Sequence, residues 1–357
     1  MNKFIYIVLS AFFTMTVIDT AIAGNPDRQG EAGAYELLMN PWARTAGLHT
    51  MSTSFVSGVE AMRLNVAGLS RSTGTEVVIS HARYLEGTDI KMNAFGLSQK
   101  IGKNGTFGVS LMALDFGEIP VTTEASPQGT GGTFSPNFFN LGLGYSHVFE
   151  NKISVGILFR AISETTSDLN AFGFALDAGV QYVSGPQDNF KLGLSLRNIG
   201  SRMSFGGQGL SQQLSAPSDN SNSYLLTYNS RSAAFELPSV LNIGISYDFI
   251  LGSEEDAVKS RVTVLSNFTS NSFSRDQIGA GVEYAFKEKF MLRAGYKYDM
   301  GQSNVPDERN VYTGFAAGAT IQVPVKKESN TSFGVDYAYR TSNPWGGTHN
   351  LSLRFGF

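Results

Sequence analysis

The sequence predicts an all-β protein: a transmembrane up-and-down antiparallel β-barrel of about fourteen strands, preceded by an N-terminal segment that does not alternate. Three observations predict it. Polarity alternates with a period of two from residue 75 to the last residue, connections sort by length between odd and even strands, and an export leader stands ahead of both.

Composition agrees. Of 357 residues only 16% are charged, although hydrophobic residues at 42% are ordinary. A typical soluble domain carries about 25% charge. The polar positions are filled instead by Ser, Thr, Asn and by 39 Gly, and aromatics reach 12%, with 26 Phe and 14 Tyr. Such a chain is no helical bundle, coiled coil or charged disordered tail. A net charge of −3 leaves no basic excess to neutralise phosphates, which argues against nucleic acid as a partner. With no cysteine, disulfides, zinc–thiolate sites, iron–sulfur clusters and cysteine nucleophiles are excluded.

Residues 1–23 read as a secretory signal peptide. Lys3 supplies the positive start, Phe4 to Val17 is almost wholly apolar, and Ala21-Ile22-Ala23 gives a small-x-small cleavage pattern, predicting cleavage after Ala23. The apolar run is shorter than the roughly 20 residues of a spanning helix. The predicted division is 1–23 leader, 24–70 a separate non-alternating segment, which the family resemblance given below makes the hatch, and 71–357 barrel.

Strands follow from the alternation. Phe290, Leu292, Ala294, Tyr296 and Tyr298 alternate with Arg293, Lys297 and Asp299, and Phe172, Phe174, Leu176, Ala178, Val180 and Tyr182 alternate with Gly173, Asp177 and Gln181. The stretches 241–249 and 333–340 behave alike. Candidate strands fall near 75–85, 90–101, 105–116, 137–149, 152–164, 170–183, 190–199, 238–250, 258–269, 276–286, 290–299, 311–323, 331–341 and 348–357. Strands of this length suit a tilted membrane crossing, which takes about 9–11 residues, better than a soluble sandwich, where about 5–6 is usual. Connections from even to odd strands are short, whereas those from odd to even include the two longest, 117–136 and 200–237. Bacterial outer-membrane barrels show this asymmetry, with short periplasmic turns and long extracellular loops. Such a wall pairs every backbone group and has no free edge. One strand face is apolar, with Tyr296, Tyr298, Tyr337 and Tyr339 placed for an aromatic girdle. Arg160, Asp177, Arg197, Asp248, Glu283, Arg293, Lys297, Asp299, Asp336, Arg340 and Arg354 fall on the other, the lumen side, where both signs predict internal ion pairs.

The last strand ends on an alternating aromatic pattern, Leu353, Phe355 and Phe357, which resembles the signal read by the barrel assembly machinery. The predicted location is the outer membrane of a Gram-negative bacterium, with outer-membrane lipid and lipopolysaccharide against the wall.

Residues 24–70 do not alternate. They contain Gly33-Ala34-Tyr35-Glu36-Leu37-Leu38, Ala43-Arg44-Thr45-Ala46-Gly47, Ser57-Gly58-Val59-Glu60-Ala61 and Asn65-Val66-Ala67-Gly68-Leu69. This order resembles the N-terminal region of the PorV/PorQ proteins, a branch of the FadL-like outer-membrane barrels: a Leu-rich start, Ala-Arg-x-x-Gly, a small-residue helix, then Asn-Pro-Ala-Gly-Leu. Val66 replaces the proline, and His49 stands where a small residue is common. Motif-level similarity covers about residues 33–85. The resemblance implies fourteen strands and a plugged lumen. It also implies a part in the type IX secretion system of Bacteroidetes, where PorV-type proteins pass substrates bearing a C-terminal signal domain from the translocon to attachment proteins. FadL itself imports long-chain fatty acids by a hatch change and a lateral opening.

The expected function is that of a non-enzymatic type IX secretion component that binds secreted substrates or the translocon through extracellular loops. The rivals are a FadL-like channel for hydrophobic small molecules and a structural partner of a surface adhesin or gliding complex. Candidate contact residues cluster in the longest loop: Leu210, Leu214, Tyr224, Leu225, Leu226, Tyr228 and Phe235 lie among Ser, Asn and Gln. These side chains either meet a partner or fold back over the barrel mouth. In the hatch, Arg44, Asn65 and Gly68 are the motif positions. They either gate the lumen or are structural, Arg44 pairing with a lumen carboxylate and Asn65–Gly68 turning into the first strand. No cofactor or metal is expected. Glu254, Glu255 and Asp256, placed in a periplasmic turn, lack the spacing of a calcium loop, and His49, His81, His147 and His349 are scattered. No G-x-S-x-G, P-loop or H-E-x-x-H motif occurs.

Overall fold

In the computed structural model, which describes residues 24–72, 74–215, 224–254, 257–301, 311, 313–325, 331–342 and 345–357, fourteen antiparallel strands close into a barrel. Along the chain the strands are β1 (Thr75–Arg83), β2 (Lys91–Ile101), β3 (Gly105–Asp115), β4 (Ile119–Pro120), β5 (Thr133–Phe134), β6 (Asn137–Phe149), β7 (Ile153–Thr166), β8 (Leu169–Ser184), β9 (Phe190–Gly200), β10 (Ser211–Ser215), β11 (Leu225–Asn229), β12 (Val240–Glu254), β13 (Ala257–Asn271), β14 (Gln277–Phe286), β15 (Phe290–Asp299), β16 (Gly314–Pro324), β17 (Ser332–Arg340) and β18 (Thr348–Gly356). The pairs β4–β5 and β10–β11 are separate hairpins within the two longest connections. The other fourteen form the wall in chain order, and β18 returns to β1. At that seam Phe357 N–H donates to the Thr75 carbonyl at 2.9 Å and Thr75 N–H donates back at 3.2 Å.

Strands 137–149 and 290–299 coincide with the sequence expectation, and the others agree to within a few residues. The largest extension is at the turn joining β12 and β13. Those strands run further than predicted, so Glu254 is a strand residue, while Glu255 and Asp256 lie outside the described residues. The signal peptide expectation, 1–23, also lies outside them. Short turns (102–104, 150–152, 185–189 and 287–289) gather at the end of the barrel where β1 begins and β18 ends, here called the turn end. The connections that leave β3 and β9, the two longest, start from the opposite, loop end. Not every loop-end connection is long: β7 passes to β8 through Ser167 and Asp168 alone, and β13 to β14 through 272–276.

Side-chain alternation sorts chemistry across the wall. On β8, Phe172, Phe174, Leu176 and Tyr182 face outward and are exposed, whereas Ala171, Ala175, Asp177 and Gln181 face the lumen and are buried. Tyr296, Tyr298 and Tyr337 stand on the outer face, while Tyr339 is half-buried against the His349 ring. Every charged residue assigned to the lumen side from sequence is buried.

The lumen is filled by residues 24–72, a run of short helical turns and extended links. The hatch is so close to the wall that glycine becomes a packing requirement. A Cβ on Gly156 would stand 2.7 Å from the Val66 main chain, and one on Gly193 would stand 2.3 Å from the Thr53 carbonyl. The wall has one irregularity, a register shift between β8 and β9 at Leu176/Ala178. Asp177 braces it, accepting the Asn198 N–H at 2.7 Å and pairing with Arg160 at 2.8 Å.

Candidate functional site

The hatch enters at the loop end. Gly24 bridges to Arg275 and Ala32 to Glu236. Arg28 pairs with Glu31 and, at 3.1 Å, with Glu236, which also accepts from Arg202 at 2.6 Å. These cations hold the Glu236 carboxyl below its ordinary pKa, the Arg202 hydrogen bond contributing most and the Arg28 bond next. Below this clasp, Ala34 and Leu37 join Ile162, Ala171, Ala175, Met203 and Leu237 in an apolar cluster against which Phe205 and Phe235 pack. The chain then crosses the lumen and leaves at the turn end, where Arg71 donates to the Lys152 carbonyl at 3.2 Å.

Between these ends the wall grips the hatch by its main chain. Ser80 Oγ and Asn350 Nδ2 both donate to the Pro41 carbonyl, at 2.7 and 2.8 Å. Arg197 donates to Leu37 at 2.9 Å, and Arg160 to Met62 at 3.2 Å. Gln181 Nε2 reaches both Thr53 and Val56, at 3.2 and 3.0 Å, and Ser146 Oγ reaches Ala67 at 2.8 Å. Buried carbonyls without water need such donors. Sequence reasoning placed Arg160 and Arg197 in the lumen but missed this task. The available signal was the run of Ser, Asn, Gln and Arg on inward strand positions.

The expected hatch residues are all buried or nearly so, in structural contacts. Arg44 finds its carboxylate inside the lumen but on the hatch itself: its Nε faces Glu60 Oε1 at 3.6 Å, and its guanidinium donates to the Ser57 carbonyl at 2.5 Å. The Ala43–Ala46 turn that carries Arg44 packs on β16–β18, and Glu60 is drawn to its N-terminal N–H groups, accepting from Thr45 N at 3.0 Å. Asn65 caps the 3₁₀ turn Val66–Arg71 by accepting from Ala67 N–H at 3.2 Å, and its amide donates to the Thr53 and Val180 carbonyls at 3.0 Å each. Asn65 thus binds two hatch segments to β8. Gly68 lies under Val56, whose carbonyl would be 1.9 Å from an added Cβ.

Internal ion pairs form among the charges assigned to the lumen side, Arg160–Asp177, Arg293–Glu283 and Arg354–Asp336, and two cations outside that assignment join them, as Lys191–Asp248 and Arg261–Glu283. Arg261 also pairs with Glu288 at 2.7 Å. A cavity of about 440 Å³ lies between hatch and wall at the turn end and is lined mainly by polar and charged side chains.

At the loop end, β10 and β11 pair Leu214 with Leu226 and Gln212 with Tyr228. That register puts Leu214, Leu226 and Tyr228 on one face, together with Tyr224 by alternation, and Ser211, Gln213, Ser215, Thr227 and Asn229 on the other. Every residue of both strands is exposed. Leu225 stands on the polar face, and Leu210 is half-buried in the turn preceding β10. Phe235 parts company with the rest. It is half-buried, its ring lies over Gly33 and 5.8 Å from Phe205, and it fastens the hatch instead of facing outward. At the C-terminus Leu353 and Phe355 are half-buried and Phe357 exposed, and Phe355 stacks on Phe333 at 5.0 Å. Among the described residues no group of His, Asp and Glu could hold a metal ion.

Fourteen strands around a lumen-filling N-terminal segment define a FadL-like outer-membrane barrel. The fold matches the toluene transporter TodX of Pseudomonas putida, at 14% identity over 89% of this chain and 97% of that one, TM-score 0.55. It also matches the toluene transporter TbuX of Ralstonia pickettii, at 11% identity over 88% and 97%, TM-score 0.53. A FadL homologue of Pseudomonas aeruginosa matches at 12% identity over 88% and 96%, TM-score 0.47. No curated protein matches the chain. A profile of the type IX secretion system membrane protein PorP/SprF matches residues 72–355, and the chain belongs to that family. The secretion system is the one the sequence resemblance implied, but PorP/SprF is a different family from PorV/PorQ. The hatch motifs that carried the resemblance lie almost wholly before residue 72. The wall decides the family.

Proposed function

We propose that the protein is a non-enzymatic binding component of the type IX secretion system that takes hold of a secretion partner at the outer cell surface through the β10–β11 hairpin. The carrying observation is the apolar face of Leu214, Tyr224, Leu226 and Tyr228, which stands clear of the barrel while the lumen is filled. In this reading the loop end is extracellular, the leader is removed after Ala23, lipopolysaccharide and lipid cover the exposed apolar band, and Leu353, Phe355 and Phe357 present the last strand to the assembly machinery. The partner is a translocon or attachment protein, or a secreted substrate with a C-terminal signal domain. Passing such substrates on, as PorV-type proteins do, is the narrower form of the same role. A surface adhesin or gliding complex would be held through the same hairpin. Affinity purification of the tagged protein from native membranes tests the reading. The expected result is recovery of a secretion component or signal-bearing substrate, lost in Leu226→Ser/Tyr228→Ser. Recovery of neither with the wild-type chain overturns it.

A second reading, a channel for hydrophobic small molecules, has the FadL-like fold and the β8–β9 irregularity in its favour. Against it stand the charged lining of the turn-end cavity and the bracing of the irregularity by Asp177. Uptake of a labelled long-chain fatty acid by cells with and without the protein separates the two.

A further inference from the structure

The turn-end cavity is built to receive negative charge. Its lining carries six cations: Arg44, Arg71, Lys191, Arg261, Arg293 and Arg354. Among the described residues three carboxylates share that surface, and each is already engaged. Glu76 accepts the Val59 N–H at 2.7 Å, Glu283 is taken by Arg261 and Arg293, and Glu288 by Arg261. The carboxylates that hold Arg44, Lys191 and Arg354, namely Glu60, Asp248 and Asp336, are almost fully buried and line no part of the cavity. They support the cations from behind without covering them.

The unsatisfied atoms point the same way. Ser52 is 2% exposed and its Oγ has no partner; Arg354 is 7% exposed and its Nε has none; Arg71 Nε is likewise unpaired. All three residues line this cavity, and all three atoms donate. No carboxylate among the described residues lies within ion-pair distance of Arg71. Burial without a partner costs a donor its hydration, and an anionic ligand carrying several acceptor oxygens would supply the kind of acceptor these donors lack. At about 440 Å³ the space falls within the ordinary range of ligand sites, roughly 300–1,000 Å³. Its depth runs from Glu288 in the β14–β15 turn to Thr45 in the hatch, a shape for a chain end entering from the turn end.

We infer that this vestibule is a receptor for an acidic peptide segment of a protein on the turn-end side of the membrane. The inference rests on the secretion-component reading for the direction from which the peptide comes, but its site is separate from the hairpin. The test uses the full chain in detergent micelles and a fluorescent tetraglutamate peptide, with tetraglutamine as control, followed by anisotropy. Saturable binding of tetraglutamate alone is expected. It should weaken by about tenfold in Arg71→Gln, the weight of one charge-assisted hydrogen bond. It should weaken further at about 1 M salt, where screening reaches about 3 Å. Ser52→Ala, a milder change that leaves every ion pair in place, should weaken it less than Arg71→Gln. Unchanged heat-modifiable mobility on a gel certifies the fold of each variant. Equal binding of tetraglutamine, no saturable binding, or full binding by both variants overturns the inference. Displacement by equimolar inorganic phosphate overturns its peptide half and marks a site for free small anions. Leu226→Ser/Tyr228→Ser should bind the peptide normally, so failure here and failure of hairpin docking are told apart.

Discussion

The hatch and the β10–β11 hairpin are the two parts of the molecule that do not belong to the wall, and they are held in opposite ways. The hatch meets the barrel over nearly its whole length, through wall donors that seek its carbonyls and through glycines that let its main chain approach. Among the described residues, β10 and β11 pair with each other and with no strand of the wall, and their own ladder supplies their order. A segment whose carbonyls are individually satisfied opens only by losing many bonds together. A two-stranded hairpin with an exposed apolar face is marginal alone and gains most from a partner. The difference fits the proposed function, in which the lumen stays closed and the loop end does the recognising.

The comparison breaks first if the interior is less rigid than its ion pairs imply. Asp177 holds Arg160 and the Asn198 N–H at the β8–β9 irregularity, so Asp177→Ala leaves a buried guanidinium unpaired. Roughly 3–5 kcal/mol of stability should be lost, read by urea unfolding in detergent. The double change Arg160→Ala/Asp177→Ala should recover part of it. A loss under about 1 kcal/mol would mean that water reaches the site and the lumen is looser than its packing implies. The next effect is confined to the hatch. Gln181→Ala removes a donor shared by Thr53 and Val56. An unsatisfied carbonyl costs about 1–3 kcal/mol, so hatch amides near residues 53–58 should exchange roughly 10- to 100-fold faster while wall amides hold steady. Acceleration spread over the wall as well would show that hatch and barrel open as one unit. In contrast, Leu226→Ser/Tyr228→Ser should move barrel stability by no more than about 0.5 kcal/mol, the usual range for exposed positions. A larger loss would place the hairpin's apolar face against the barrel and remove it as a recognition surface.

How much of this was legible beforehand differs between the same two regions. The strands Asn137–Phe149 and Phe290–Asp299 could be read to the residue because lipid on one side and packed polar groups on the other force strict alternation. The hatch gave its existence by the lack of alternation, yet not its path. Bonds to main-chain carbonyls leave no mark on the hatch's own side chains, and nothing in the pattern singled out Glu60, sixteen residues on, as the partner of Arg44. The hairpin was hidden by the shortness of its strands, five residues each, inside a loop rich in Ser and Asn. Phe235 shows the limit of reading a loop by composition. It shares the apolar character of Leu226 and Tyr228, but the bridge from Ala32 to Glu236 turns it onto the hatch.

The smallest effect lies at the one place where the two regions meet, the clasp of Arg28 and Arg202 on Glu236 at the root of the long loop. These groups are open to solvent, so their contribution is modest and screened by salt. Its sign is fixed, however. The folded carboxyl titrates below the ordinary Glu value of about 4.3. The clasp is therefore fully formed above that value and is lost as pH falls through the lowered pKa. Amide exchange over residues 28–33, followed from neutral pH into that acidic window with the intrinsic rate divided out, should rise there and nowhere higher. Glu236→Gln should show the raised exchange already at neutral pH, and added salt should bring the wild type toward it. A profile that is flat through the acidic window would leave the Ala32–Glu236 bridge and the Phe235 contact as the fastening. The loop end would then hold the hatch by packing and main chain alone, as the lumen does.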